Sequence, residues 1–179
     1  MSSRQRISTN RSSLVVRPAT LRDQAAILSI YNDAVRTTTA TFDTKPRTRA
    51  EQRDWFAHHD ARHPVVVADM AGAVVGWACL SPWSERCAYE GTAEISVYVG
   101  PSWRGHGVGR SLVQAILAEA ARHEFHTLLA RVAVGNPISR RLHVSAGFST
   151  VGVMHEVGYK FNRFLDVELL ERHIGSAVP

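Results

Sequence analysis

Cysteine is scarce in this chain. Only Cys79 and Cys87 occur among 179 residues, with no CxxC pair and no histidine at ligand spacing, so neither a disulfide framework nor a metal site is indicated. Two isolated thiols suit a reducing compartment. Long apolar runs are missing too. The opening MSSRQRISTNRSS has no apolar centre of the kind a signal peptide needs, and no segment approaches the roughly 18–20 apolar residues that cross a bilayer. A cytoplasmic protein without a membrane partner is expected. Acidic residues are the minority, 16 against 21 Lys and Arg, which leaves a formal charge of +5. The basic residues are dispersed, three of them (Arg4, Arg6, Arg11) lie in the polar opening, and no nucleic-acid-binding motif is present. We expect no nucleic-acid partner; a modest positive field equally suits a phosphate-bearing small molecule.

What is present is enough for one core. At 45% apolar and 21% charged residues, the chain fits a single globular domain, which commonly runs to about 100–200 residues. Residues 1–13, rich in Ser, Arg, Thr and Asn, read as a disordered leader. The domain is expected over 14–174, with a flexible tail over 175–179. Leu14 to Arg17 is strand-like, and Thr20 with Asp23 forms a capping box ahead of helically spaced Ile27, Ile30, Tyr31 and Ala34. A second box, Thr48 with Glu51, opens a short helix around Trp55 and Phe56, and the loop between the two helices carries Phe42. Residues 64–68 and 73–80 read as an antiparallel hairpin, and 92–99 as a further strand. The apolar positions Leu112, Val113, Ile116, Leu117 and Ala120 predict a helix. A strand over 128–134, a helix over 136–145 and strands over 148–154 and 164–170 complete the pattern.

Between the strand at 92–99 and the helix after it lies Arg104-Gly-His-Gly-Val-Gly109. A glycine-rich turn that opens a helix is an anion site, because glycines let backbone N–H groups approach closely and the helix dipole favours negative charge. The spacing matches neither GxxxxGK[ST] nor the dinucleotide fingerprint, and antiparallel strands precede it, so nucleotide hydrolysis and hydride transfer lose ground. By itself the motif is also compatible with a turn chosen only for its conformation.

The same residues, Ser96 to Val99 followed by Arg104 to Gly109, resemble the acetyl-CoA motif of the GNAT acyltransferases. Asn136-Pro-Ile-Ser139, Leu142-His143 and Gly147-Phe148 resemble that superfamily's second signature at the right distance. Tyr31-Asn32, Thr39 to Phe42, Arg86-Cys-Ala-Tyr89, Ala93-Glu94 and Val157 to Asp166 narrow the resemblance to phosphinothricin and methionine sulfoximine N-acetyltransferases. It covers nearly everything after the leader. The resemblance implies an α/β fold with a mixed, mostly antiparallel sheet flanked by helices, splayed between two central strands to admit the cofactor arm. It also implies acetyl-CoA as cosubstrate, no metal, a small-molecule amine acceptor and a homodimer.

Site residues follow residue by residue from the resemblance. The amides of Arg104, Gly105, His106, Gly107, Val108, Gly109 and Arg110 would wrap the pyrophosphate, Val97, Tyr98 and Val99 would bond the pantetheine arm, and Asn136 and Ser139 would contact the cofactor. Phe42, Arg86, Tyr89, Glu94 and Ser96 would recognise the acceptor, with Lys160 and Arg163 as further positive charge or as solvated surface groups. An aliphatic amine is largely protonated at neutral pH, so transfer needs a proton acceptor. Glu94, set among apolar strand neighbours, is the expected general base, and His143 the expected general acid for the leaving thiolate. Backbone N–H groups of 97–99 would stabilise the oxyanion, so no side-chain nucleophile is required and the two cysteines are expected to be passive. Ile95 and Gly100 stand where many members carry His, which weakens any two-base scheme. A peptide or protein N-terminal acetyltransferase and a noncatalytic acyl-CoA-binding or nucleic-acid-binding module remain as alternatives.

Overall fold

The computed structural model describes Leu14 to Gly175; the expected leader over 1–13 and all but the first residue of the expected tail lie outside the described residues. Seven strands form one sheet in the order β1-β2-β3-β4-β5-β7-β6. They are β1 (Leu14–Pro18), β2 (Val65–Met70), β3 (Ala73–Pro82), β4 (Thr92–Val99), β5 (Thr127–Ala133), β6 (Ser149–Lys160) and β7 (Arg163–His173). Four helices accompany them: α1 (Gln24–Thr37), α2 (Arg49–Ala57), α3 (Val108–Arg122) and α4 (Pro137–Ser145). Both expected capping boxes form. Thr48 accepts from the Glu51 amide at 3.2 Å while Glu51 accepts from the Thr48 amide at 2.6 Å, fixing the start of α2. Thr20 and Asp23 close a short 3-10 turn that runs straight into α1, and Arg17 of β1 grips the Asp23 carboxylate at 2.8 and 2.9 Å.

Alternation along β4 sorts its side chains between two cores. Ala93, Ile95, Val97 and Val99 face Leu112, Val113 and Ile116 of α3. Tyr98 faces the opposite cluster, where Ile27, Tyr31 and Val35 of α1 pack on Val65, Val67 and Trp77. This period of two puts Glu94 and Ser96 on the Tyr98 face. Gly76 allows α3 to press on β3: a Cβ there would lie 3.0 Å from Leu112 Cδ1 and from the Tyr98 carbonyl.

Every neighbouring pair in the sheet is antiparallel except β4 and β5. Those two pair in parallel only at Thr92↔Thr127, Ala93↔Leu128 and Glu94↔Leu129, although they continue to Val99 and Ala133. Beyond Glu94 they part. The expected mixed sheet, splayed between two central strands, is therefore present, and its opening begins at the expected base. The largest departure from the sequence reading is β6, which runs six residues past 154 into a tight hairpin with β7. Phe161 and Asn162 both have positive φ, 51° and 59°, the geometry of a two-residue hairpin turn usually marked by glycine. Among the described residues no helix is long and apolar enough to cross a membrane.

Candidate active site

The splay opens into a cleft of about 1550 Å³ that runs from the glycine turn, past the free edge of β4, to the loop after α1. At one end, Gly105 (φ 80°) and Gly107 (φ 84°) hold left-handed backbone, with no atom within 4 Å of an added Cβ. Gly107 begins α3 without a side-chain cap. The first N–H groups of α3 have no side-chain cap, and the positive end of the helix dipole lies behind them. Arg104, Arg110 and Arg141 line the same region, and Arg104 Nε donates to the Val99 carbonyl at 3.2 Å, tying the turn to β4. A diphosphate fits this cradle in shape and charge.

The other end is walled by Phe42, Ser81, Glu94, Ser96, Arg131 and Arg163 among others. Glu94 and Arg131 form a two-pronged ion pair across the point where β4 and β5 separate: Arg131 Nε donates to Oε1 at 2.7 Å and Nη2 to Oε2 at 2.6 Å. The Glu94 carboxylate is 15% exposed and the Arg131 side chain 54%. The guanidinium lies 5.8 Å from the Trp83 ring centre, and the pairing raises its affinity for its proton further. Phe42 packs on Gly158, where a Cβ would come 2.1 Å from the ring. Behind it, Lys160 is buried and donates to the Thr41 carbonyl at 2.7 Å; burial lowers its pKa, opposed by Asp43.

His143 is 4% exposed. Its Nδ1 lies 2.9 Å from the Ser139 carbonyl, so the proton must sit on Nδ1, and Nε2 is buried without a partner. Burial lowers its pKa. These are the surroundings of a neutral imidazole, whose free nitrogen accepts rather than donates. Burial likewise pushes the Cys79 thiol up to about 12, which leaves it protonated.

Residues 27–148 match the Acetyltransferase (GNAT) family. The chain belongs to that family. It is an acetyl-CoA-dependent N-acetyltransferase. It is 39% identical over 164 residues to the L-methionine sulfoximine/L-methionine sulfone acetyltransferase of Pseudomonas paraeruginosa, covering 89% of this chain and 94% of that protein. Among solved structures, a phosphinothricin acetyltransferase from Sinorhizobium meliloti in complex with acetyl-CoA superposes with a TM-score of 0.87 at 32% identity, covering 90% of this chain and 89% of that one. A ribosomal-protein-alanine N-acetyltransferase from Brucella melitensis superposes with a TM-score of 0.88 at 36% identity, over 90% and 100% of the two chains.

Most site residues expected from the GNAT sequence meet in the cleft. Phe42, Glu94, Ser96, Val97, Tyr98, Val99, Arg104, Gly105, Gly107, Gly109, Arg110, Asn136, Ser139 and His143 all line it. His106 and Val108 do not: the His106 ring bonds the Arg104 carbonyl at 2.9 Å, and the Val108 side chain is in the α3 core. Both can still present backbone amides. Asn136 caps α4, accepting from the Ser139 amide at 3.1 Å. Tyr98 stacks on Trp77 with centroids 4.7 Å apart. Arg86 and Tyr89, expected to recognise the acceptor, lie apart from these residues. Both are exposed on the β3–β4 connection, in and beside a short 3-10 turn, and neither lines the cleft. Lys160, open between a charged wall and a solvated group, is neither: it is buried behind the wall. Arg131 was missed, and in retrospect a lone arginine inside the apolar run Thr127 to Ala133 is the signal that could have found it.

Proposed function

We propose that this acetyltransferase moves the acetyl group of acetyl-CoA to the α-amine of a small amino-acid analogue such as L-phosphinothricin or L-methionine sulfoximine or sulfone. Glu94 is the general base for direct attack. The observation that carries this reading is the position of the Glu94 carboxylate, in the cleft where β4 leaves β5. Acetyl-CoA supplies an activated acyl group with a good leaving thiolate. The amides of 104–110 and the start of α3 hold its diphosphate, and the unpaired β4 edge from Ile95 to Val99 offers backbone partners for the pantetheine arm and the oxyanion. Glu94 draws the proton from the ammonium, directly or through one water, and general base catalysis of this kind contributes about 10²–10⁴-fold. His143 is the proposed general acid for the leaving thiolate; as a neutral imidazole it must take up a proton on Nε2 before it can give one.

Phe42 walls the acceptor end, and a wall there favours a compact amino acid over an extended peptide. The likeness to a ribosomal-protein-alanine N-acetyltransferase favours a second reading, acetylation of a peptide N-terminus. The deciding assay mixes the enzyme with acetyl-CoA and a panel of phosphinothricin, methionine sulfoximine and sulfone, ordinary amino acids and short peptides, and follows thiol release. Turnover of the analogues, cut about 10²-fold or more in Glu94→Gln, is expected. Preferential turnover of alanine-starting peptides would replace the substrate class, and acetyl-CoA binding without any thiol release would remove the catalytic assignment. The domain is proposed to span 14–174 and to act in the cytoplasm as a homodimer. Its edge strand β6 exposes Val151, Val153, Val157 and Tyr159, an apolar edge that a second copy would cover; a monomer by sedimentation at micromolar concentration would count against that.

A further inference from the structure

We propose that Arg131 is the receptor for the acceptor's α-carboxylate, so that the Glu94–Arg131 pair reads the two charges of a zwitterionic amino acid at once. The proposal rests on the amino-acid reading above and says which group selects that class.

A guanidinium carries five N–H donors in a planar fork. Arg131 commits two of them, one on Nε and one on Nη2, to the Glu94 carboxylate. Among the described residues, nothing accepts from the two Nη1 hydrogens or from the second Nη2 hydrogen. The second Nη2 hydrogen and one Nη1 hydrogen lie along the end of the fork, which matches a carboxylate bidentately. The Trp83 ring backs the guanidinium, and the side chain, just over half exposed, lines the cleft.

Glu94 is equally unspent. Each of its oxygens accepts once from Arg131, whereas a carboxylate has about four acceptor positions. An ammonium can therefore bind Glu94 without breaking the ion pair. The ammonium and carboxylate of an α-amino acid are borne on one carbon, and the hydrogen bonds between Glu94 and Arg131 hold their free acceptor and donor positions side by side. The pair thus presents a negative and a positive site side by side, in the order a zwitterion requires. Arg86, expected from sequence to grip the acceptor's anion, lies outside the cleft, which leaves Arg131 as the arginine in hydrogen-bond contact with the base.

The test compares L-methionine sulfone with 3-(methylsulfonyl)propan-1-amine, the same acceptor without its carboxylate, in the wild type, Arg131→Gln and Arg131→Lys. The readout is the ratio of kcat/KM for the acid over the amine, at saturating acetyl-CoA. Removing a charge-assisted bidentate contact should lower that ratio roughly 10- to 100-fold in Arg131→Gln, with Arg131→Lys intermediate and melting temperatures showing that both variants fold. An unchanged ratio in Arg131→Gln overturns the proposal, including the case in which kcat falls equally for both acceptors because Arg131 only orients Glu94. A wild type that turns over peptides but not L-methionine sulfone removes the amino-acid reading itself, a failure distinct from the other and visible before any variant is made.

Discussion

Gly158→Ala is expected to loosen the acceptor pocket from behind. Gly158 sits in β6 with an ordinary φ, so alanine is permitted there, and on backbone grounds alone the exchange would stabilise by about 0.4–1 kcal/mol. Contact reverses the sign. The new Cβ would lie 2.1 Å from Phe42 Cε2 and 2.3 Å from Cδ2, where ordinary contact begins at 3.4 Å, so the ring must retreat by 3.4 − 2.1 = 1.3 Å. Overpacking of this kind costs about 1–3 kcal/mol, leaving a net loss of up to roughly 2.5 kcal/mol. A shift of about 1 Å in a positioning group can cost up to 10²-fold in rate, so KM for the acceptor should rise while acetyl-CoA binding holds. Denaturant midpoints and acceptor KM measured across Gly158→Ala, Phe42→Ala and the double variant close a cycle. Once the ring is gone the three nearest atoms to the methyl group are gone with it, and Gly158→Ala should cost much less than in the wild type. Additive effects, or a single variant as stable as wild type with unchanged KM, would refute the packing argument.

Three further outcomes follow from charge and burial. Hydrogen bonds from Arg17, then from Thr20, hold the Asp23 carboxyl at about 2 against its ordinary 3.8, which amounts to roughly 2 kcal/mol of stability present above pH 3.8 and lost as pH falls through about 2. Asp23→Asn should lose that amount at pH 7 by denaturant titration, and the gap to wild type should close in acid. Lys160 has a folded pKa below its unfolded 10.5, so the unfolded chain binds more protons in between and stability rises with pH through that window. Lys160→Met should lack this rise as pH climbs toward 10.5; parallel curves would show that the buried amine does not titrate as argued. His143 also has a lowered folded pKa, against 6.5 unfolded, so its contribution is complete above pH 6.5 and erodes as pH falls below it. His143→Phe should flatten that part of the acid limb and, with the general acid gone, lower kcat about 10²-fold; an unchanged kcat would leave it only a packing role against Phe148.

Much of this enzyme was determined by residues close together in the chain. The two capping boxes, the limits of β4, the glycines whose left-handed φ opens the nest, and the Asn136 cap are fixed by contacts within a few positions, so their signals survive in the sequence itself. The resemblance then supplied the splayed sheet and the family. Tertiary structure alone decided what depends on distant pairs. Glu94 and Arg131 are 37 residues apart, and Thr41 and Lys160 are 119 apart; no local pattern could pair them. The β6–β7 hairpin turns on Phe161-Asn162, which lacks the usual glycine, so its extra length was hidden. Arg86 and Tyr89 carry the expected chemistry, and whether a surface turn brings them to the cleft is decided by the fold rather than by their spacing. Which charged side chains meet the acceptor is therefore a property of the folded sheet, because strand alternation and splay choose their partners.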